Sequence, residues 1–284
     1  MLRVGVLGAA GRMGRTACAA VSADPDLELV AAIDPAAGAG HGGDLEGLVV
    51  AADVSALKEA GAEVAVDFTV ASAALANATW CAAHGVHLVM GTTGLDEAAV
   101  ARLRQEFEEG EANCVMAPNF AIGAVLMMRF AELAAPWFDS AEIIELHHDG
   151  KLDAPSGTAA LTARRVSAAV ENARLSGGSG GSRGHVGGHV GSPRGLADSG
   201  DELSLSEAPG TRGSETAPGV RVHSVRLRGL VAHQEVLLGA AGQVLTIRHD
   251  SLDRASFMPG VILAVKKVPE LRGFTIGLER LLGL

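Results

Sequence analysis

The densest run of reactive side chains is Glu145-Leu146-His147-His148-Asp149-Gly150-Lys151-Leu152-Asp153-Ala154-Pro155-Ser156-Gly157-Thr158-Ala159. Paired histidines at the end of a strand rarely serve a core, and alternation sends neighbouring strand residues to opposite faces, so His147 and His148 are expected to do different jobs. Lys151 follows after one tight loop. Pro155-Ser156-Gly157-Thr158 reads as a helix start, with Ser156 as the cap and the N–H groups of Gly157 and Thr158 free to hold a carboxylate. One short loop thus supplies a proton donor, a fixed cation and an anion nest. That set suits a small dicarboxylate.

A second set lies near the start. Gly8-Ala9-Ala10-Gly11-Arg12-Met13-Gly14 follows an apolar run and opens a helical stretch. Glycines there let the backbone approach a pyrophosphate, and the helix N-terminus offers N–H groups and a favourable dipole. The spacing is GxxGxxG, a variant of the usual dinucleotide fingerprint. Asp34, 20 residues beyond Gly14, stands at the end of the next apolar run, where an acid can hydrogen-bond a ribose 2′-hydroxyl. A carboxylate there favours NADH over NADPH, whose 2′-phosphate it repels, and Arg12 is positioned to offset that repulsion. Gly91-Thr92-Thr93-Gly94 and Ala117-Pro118-Asn119-Phe120 each follow another strand candidate, so both loops are expected to line the nicotinamide. Asp67-Phe68-Thr69 ends a further strand and reads as structural.

These groups need elements to position them. Leu2–Leu7, Leu27–Ile33, Val64–Phe68, Val86–Met90 and Cys114–Ala117 read as strands; Gly11–Ser22, Ser72–His84 and Leu95–Glu109 read as helices between them. The alternation predicts an α/β fold, a Rossmann-like doubly wound parallel sheet. Beyond Asn119 the rhythm changes. A helix over Ala124–Ala135, a strand over Ala141–His148, a helix from Ser156 to about Ala173, and strands at Val220–Arg228, Glu235–Leu238 and Gln243–Arg248 imply a second α+β domain on a mixed sheet. Asp253–Leu284 reads as helical and returns to the first domain. The expected division is therefore 1–120 with 253–284 for the dinucleotide, and 121–252 for substrate and oligomerisation. Within the latter, 176–219 is rich in Gly and Ser and is expected to be a flexible insertion. Its GHVGGHV repeat, with His185 and His189, reads as solvated loop, and no metal site is expected.

Composition narrows the class. The net charge of −10 comes without any Lys/Arg cluster, so nucleic acid is not an expected partner. Cys18, Cys81 and Cys114 are odd in number and scattered, which fits reduced cytoplasmic thiols. The N-terminus lacks the pattern of a secretory signal, and no apolar run is long enough for a membrane span.

Taken with these residues, GRMGR, VDFT, GTTG, APNFAIG, ELHHxxKxDAPSGTA, GLVAHQEV and TIRHDSLDRASFMPGV make the chain resemble the 4-hydroxy-tetrahydrodipicolinate (dihydrodipicolinate) reductase family from residue 2 to the C-terminus, the Gly/Ser/His insertion excepted. The resemblance implies NADH- or NADPH-dependent reduction of 4-hydroxy-tetrahydrodipicolinate, or of the dihydrodipicolinate formed from it by water loss, to tetrahydrodipicolinate, on the diaminopimelate route to lysine. It implies a general acid at His147, a proton donor at Lys151, and substrate contacts at His148, Gly157 and Thr158. It places the cofactor on Gly8, Ala9, Ala10, Gly11, Arg12, Met13, Asp34, Gly91, Thr92, Thr93, Ala117, Pro118, Asn119 and Phe120. It also implies a cytoplasmic homotetramer. Asp149-Gly150 departs from the family, which often carries another basic residue in this gap.

Two other readings compete. A semialdehyde dehydrogenase of the phosphorylating kind would need a cysteine in a reactive loop, and none of the three sits in one. A cofactor-sensing regulator would show a damaged site, whereas His147, His148, Lys151 and Ser156-Gly157-Thr158 are all present.

Overall fold

The computed structural model of the chain describes residues 1–36, 44–176 and 212–284. The elements in order are β1 (Leu2–Leu7), α1 (Arg12–Ala23), β2 (Leu27–Ile33), β3 (Asp44–Leu45), β4 (Leu48–Val49), α2 (Ala56–Glu59), β5 (Val64–Asp67), α3 (Ala71–His84), β6 (His87–Met90), α4 (Glu97–Glu109) and β7 (Cys114–Met116). The chain continues through α5 (Ile122–Ala134), β8 (Ser140–His147), α6 (Gly157–Ser176), β9 (Ser214–Ala217), β10 (Val220–Arg226), β11 (Ala232–Ala240), β12 (Gln243–Ser251), α7 (Met258–Lys267), β13 (Phe274–Ile276) and α8 (Glu279–Leu282).

Six strands form the first sheet in the order β13-β7-β6-β5-β1-β2, and every pair is parallel. Val4 to Leu7 of β1 and all four residues of β5 are buried, the near-continuous apolar run expected of strands covered on both faces. Strand β1 lies between β2 and β5, so the chain order reverses there. The crevice beyond its carboxyl end is where such sheets bind ligands.

The second sheet has the order β12-β11-β8-β10-β9. Its β8–β10 pair is parallel and the others are antiparallel, so the sheet is mixed, as the short connections imply. On β8 the buried residues alternate, Ala141, Ile143 and Glu145, and face the layer formed by α5 and α6. Two apolar residues followed by a carboxylate on one inward face is the local signature of a site built into the end of a core.

Three features differ from the sequence reading. The stretch after Asp253 is not wholly helical: Phe274–Ile276 pairs with β7 and adds a sixth strand to the first sheet. Three residues are too few for a period to show. The segment read as an insertion to residue 219 ends earlier, because Ser214–Ala217 is strand β9, turned onto β10 through Gly219 at φ 74°. Residues 177–211, including His185 and His189, lie outside the described residues. The short β3–β4 hairpin and α2 were not expected.

Candidate active site

Strand β8 ends at His147, so strand alternation does not govern His148, and the expectation that the two rings face opposite ways fails. Both line one cleft. A turn closed by Lys151 N–H donating to the His148 carbonyl (3.1 Å) brings Lys151 back to the same place. The Lys151 ammonium meets both carboxylate oxygens of Asp153, at 2.7 and 2.8 Å, and this contact holds the Asp153 carboxyl below its usual range. Asp149, the departure noted above, pairs outward with Arg228 at 2.9 Å rather than with His148.

Ser156 caps α6 as its type predicts, its hydroxyl accepting from the Ala159 N–H at 3.2 Å. Above Gly157 a Cβ would meet nothing within 4 Å, so there is open space at the first turn of a 20-residue helix. An anion fits that place: the N–H groups are uncovered and the helix dipole favours negative charge.

Behind the histidines stands Glu145, a fully buried carboxylate. Its Oε2 accepts from His147 Nδ1 (2.5 Å) and Arg226 Nη1 (3.0 Å). Its Oε1 accepts from Arg226 Nη2 (2.8 Å) and the Ser156 N–H (3.3 Å). Burial pushes this carboxyl up, but hydrogen bonds from His147, Arg226 and Ser224 outweigh it and bring it to about 2. Parallel pairing of β10 with β8 puts Ser224 beside Glu145 and Arg226 beside His147, which is how a strand 80 residues away supplies the cation. Arg226 also donates to the Asp153 carbonyl (2.6 Å), so it braces the loop that carries Lys151.

The cleft has a volume of about 280 Å³ and is bounded by both sheets' elements. Pro118 and Asn119 come from the loop after β7; His147, His148, Lys151, Ser156 and Thr158 come from the β8–α6 connection. Asn119 bridges the two, donating from Nδ2 to the Thr158 hydroxyl at 3.3 Å while its Oδ1 accepts from the Ala121 N–H at 2.9 Å. Sequence reasoning missed part of the lining: His233 and Gln234 on β11, and His249 and Ser251 on β12. His233 Nδ1 donates to Asp250 Oδ1 at 2.7 Å, while its Nε2 accepts from the Val231 N–H at 3.4 Å. Burial pushes the His249 ring down, and its edge packs so closely on Gly123 that a Cβ there would lie 2.4 Å from Cδ2. The strings GLVAHQEV and TIRHDSLDR contain these residues, but nothing in their local pattern aims them at the β8–α6 loop. Only the β8-β11-β12 order does so.

The other predicted residues gather at the carboxyl ends of the first sheet. Gly8 takes φ +75°, and Gly14 packs so tightly that a Cβ would fall 2.0 Å from the Gly8 carbonyl oxygen. Asp34 Oδ2 accepts from the Ala10 N–H at 3.0 Å, which ties the glycine loop to the end of β2. No side chain caps α1 at Gly11. A helix start with no side-chain cap, a loop stripped of Cβ atoms and an adjacent carboxylate fit a dinucleotide: Gly8 to Met13 would hold the pyrophosphate and Asp34 a ribose. Gly91 to Thr93 and Ala117 to Phe120 line the same edge. The Thr92 hydroxyl, however, turns inward to Asp67 (3.0 Å) and the Thr69 carbonyl (3.1 Å), so it does not point at a ligand as expected. Asp67 is fully buried and also takes the Thr69 hydroxyl (2.6 Å) and Asn77 Nδ2 (2.9 Å), so it ties the loops after β5 and β6 to helix α3.

Comparison with known proteins gives the family. The family model described as dihydrodipicolinate reductase, N-terminus, matches residues 2–120, and the one described as dihydrodipicolinate reductase, C-terminus, matches residues 123–282. The 4-hydroxy-tetrahydrodipicolinate reductases of Cutibacterium acnes and Nocardia farcinica are each 47% identical, over all of this chain and 100% and 99% of theirs. A solved dipicolinate-bound dihydrodipicolinate reductase from Paenisporosarcina sp. TG-14 superposes with a TM-score of 0.77 at 35% identity, over 99% of each chain.

Proposed function

Since the chain belongs to the dihydrodipicolinate reductase family, we infer that it reduces 4-hydroxy-tetrahydrodipicolinate to tetrahydrodipicolinate, with NADH or NADPH as reductant, on the diaminopimelate route to lysine. The observation that carries the reading is the single cleft that brings His147, His148, Lys151 and the α6 N-terminus against the loop after β7. The relative from Paenisporosarcina is described as bound to dipicolinate, a flat ring with two carboxylates, and the groups here match such a shape.

A reduced nicotinamide held by the loops at the carboxyl ends of the first sheet would supply the hydride. The chain's own residues do the rest. The N–H groups of Gly157 and Thr158 and the His148 ring hold the carboxylates, and Lys151 neutralises charge after leaving Asp153. Loss of water from the 4-hydroxy compound gives the conjugated dihydro imine; hydride addition to it leaves an electron pair in the ring system, which His147 protonates from Nε2 and Lys151 screens. Gly8, Ala9, Ala10, Gly11, Arg12, Met13 and Asp34 hold the pyrophosphate and ribose; Gly91, Thr92 through its backbone, Thr93, Ala117, Pro118, Asn119 and Phe120 orient the nicotinamide end. Residues 1–120 with 253–284 form the cofactor unit, and 121–252 form the substrate unit.

We also propose a cytoplasmic homotetramer joined through the second sheet. No described helix is long and apolar enough to cross a membrane. Strand β12 is an edge of nine residues with Val244 and Leu245 exposed, the kind of edge that monomers avoid. Light scattering on the purified chain should give four times its 28.8 kDa mass. The decisive test of the activity is a coupled assay in which freshly made substrate is offered with each cofactor in turn. Absence of cofactor oxidation with either one rejects the reading.

A further inference from the structure

Glu145 is more than a support for its strand. His147 Nδ1 and Arg226 Nη1 converge on its Oε2, and Arg226 Nη2 and the Ser156 N–H converge on Oε1. The guanidinium and the Ser156 N–H can only donate, and the guanidinium takes both oxygens, so Glu145 is held as an ionised carboxylate, which accepts and never donates. The shared proton therefore stays on Nδ1 of His147, and Nε2 is the nitrogen left for the cleft. This is the minor tautomer of an isolated imidazole, and the protein has to impose it.

We propose that Glu145, held by Arg226, is the positioning residue that fixes the His147 tautomer and serves as counter-ion to its imidazolium, so that His147 gives its proton only from Nε2. The proposal rests on the reading of His147 as the proton donor. In that step the Nε2–H bond breaks, its electron pair stays on the imidazole, and the reduced ring takes the proton. The imidazole is left neutral with Nδ1–H still bonded to Glu145, and solvent restores the proton at Nε2. Because Oε1 also receives the Ser156 N–H, the same carboxylate sets the distance between the acid and the anion nest on α6. Groups that touch the substrate and the group that aims them thus share one buried anchor. The energy of that anchor is protected from solvent, since Glu145 is fully buried and Arg226 largely so.

Glu145→Gln keeps the shape and removes the logic. Its carbonyl can keep the Oε1 contacts, but its NH2 then faces the His147 Nδ1–H and the Arg226 Nη1–H, donor against donor. His147 must turn to the Nε2–H tautomer without a counter-ion. The expected result is a fall in kcat of about 100-fold, with KM and the Ki of pyridine-2,6-dicarboxylate within about threefold, and a solvent deuterium isotope effect on kcat that rises as proton transfer becomes limiting. A kcat within threefold of the parent overturns the proposal. So does a parallel loss of kcat and inhibitor binding with an unchanged isotope effect, which is what a merely structural role would give. A second arm needs no variant of Glu145: ring ¹⁵N shifts of the unmodified protein, with His147 identified by His147→Asn, should show Nδ1 protonated in the neutral ring. An Nε2–H tautomer there overturns the proposal. The underlying reading fails separately, if His147→Asn itself keeps normal kcat.

Discussion

Gly14→Ala is a one-carbon change whose consequence can be worked from distances. The added Cβ would lie 2.0 Å from the Gly8 carbonyl oxygen, 2.7 Å from the Gly8 carbonyl carbon and 2.8 Å from Ala9 Cα. All three are backbone atoms, so no side chain can swing aside. Reaching even a tight contact of 3.0 Å requires about 1 Å of movement between α1 and the glycine loop. Overpacking of this kind costs about 1–3 kcal/mol. The loop that must move also carries the Ala10 N–H that binds Asp34 at 3.0 Å. A misplacement of ~1 Å in a positioning element can cost ~100-fold, and each ~1.4 kcal/mol is tenfold in affinity. The expected outcome is a cofactor Kd weakened about 10- to 100-fold. kcat at saturating cofactor should stay within about threefold, because the β8–α6 loop is untouched. Titration of NADH fluorescence measures the first, and the coupled assay the second. A folded variant with parental Tm and a Kd within twofold of the parent would refute the idea that this close approach shapes a pyrophosphate site.

Other outcomes follow from the cleft. His147→Ala and Lys151→Ala should each lower kcat by at least ~100-fold in steady-state assays, in line with loss of an acid or of a charge held at the reacting ring. Gly157→Ala should leave Tm unchanged, since its Cβ would meet no protein atom within 4 Å, yet raise KM about tenfold by filling the space a carboxylate would occupy. Asn119→Ala removes the 3.3 Å bond to Thr158 and the 2.9 Å bond from the Ala121 N–H and should lower kcat/KM by about 10- to 100-fold, the worth of two neutral hydrogen bonds. Acid unfolding should report on Glu145. Its carboxyl, pushed up by burial but brought down to about 2 by His147, Arg226 and Ser224, has an ordinary value of 4.5. A lowered folded value means stability that is complete above pH 4.5 and is lost as pH falls toward 2, on the order of 3 kcal/mol. The gap in unfolding free energy between the parent and Glu145→Gln, followed by urea titration, should therefore narrow between pH 5 and pH 2.

Some of this was carried by local order alone. Buried parallel strands leave unbroken apolar runs, so β1, β2, β5, β6 and β7 were evident, and with them the loops at their carboxyl ends. Gly8, Gly11, Gly14 and Asp34 stand at spacings that a pyrophosphate-binding turn imposes on the chain itself. Ser156-Gly157-Thr158 announces a helix start for the same reason: capping is a matter of four consecutive residues. His147, His148 and Lys151 fall within one short loop, so their meeting needed no long-range knowledge.

What lay beyond reach depended on pairing between distant segments. Arg226 meets Glu145 because β10 runs parallel to β8 in one register, and a slip of one residue would turn it to the other face. His233 and His249 reach the cleft because β11 and β12 stack outward from β8. The Thr92 hydroxyl turned inward because Asp67, fully buried, demanded donors. Phe274–Ile276 became a strand because β7 offered it an open edge. Short-range chemistry is written in neighbouring residues, whereas the partners of a buried charge are chosen by whichever strands the sheet sets side by side.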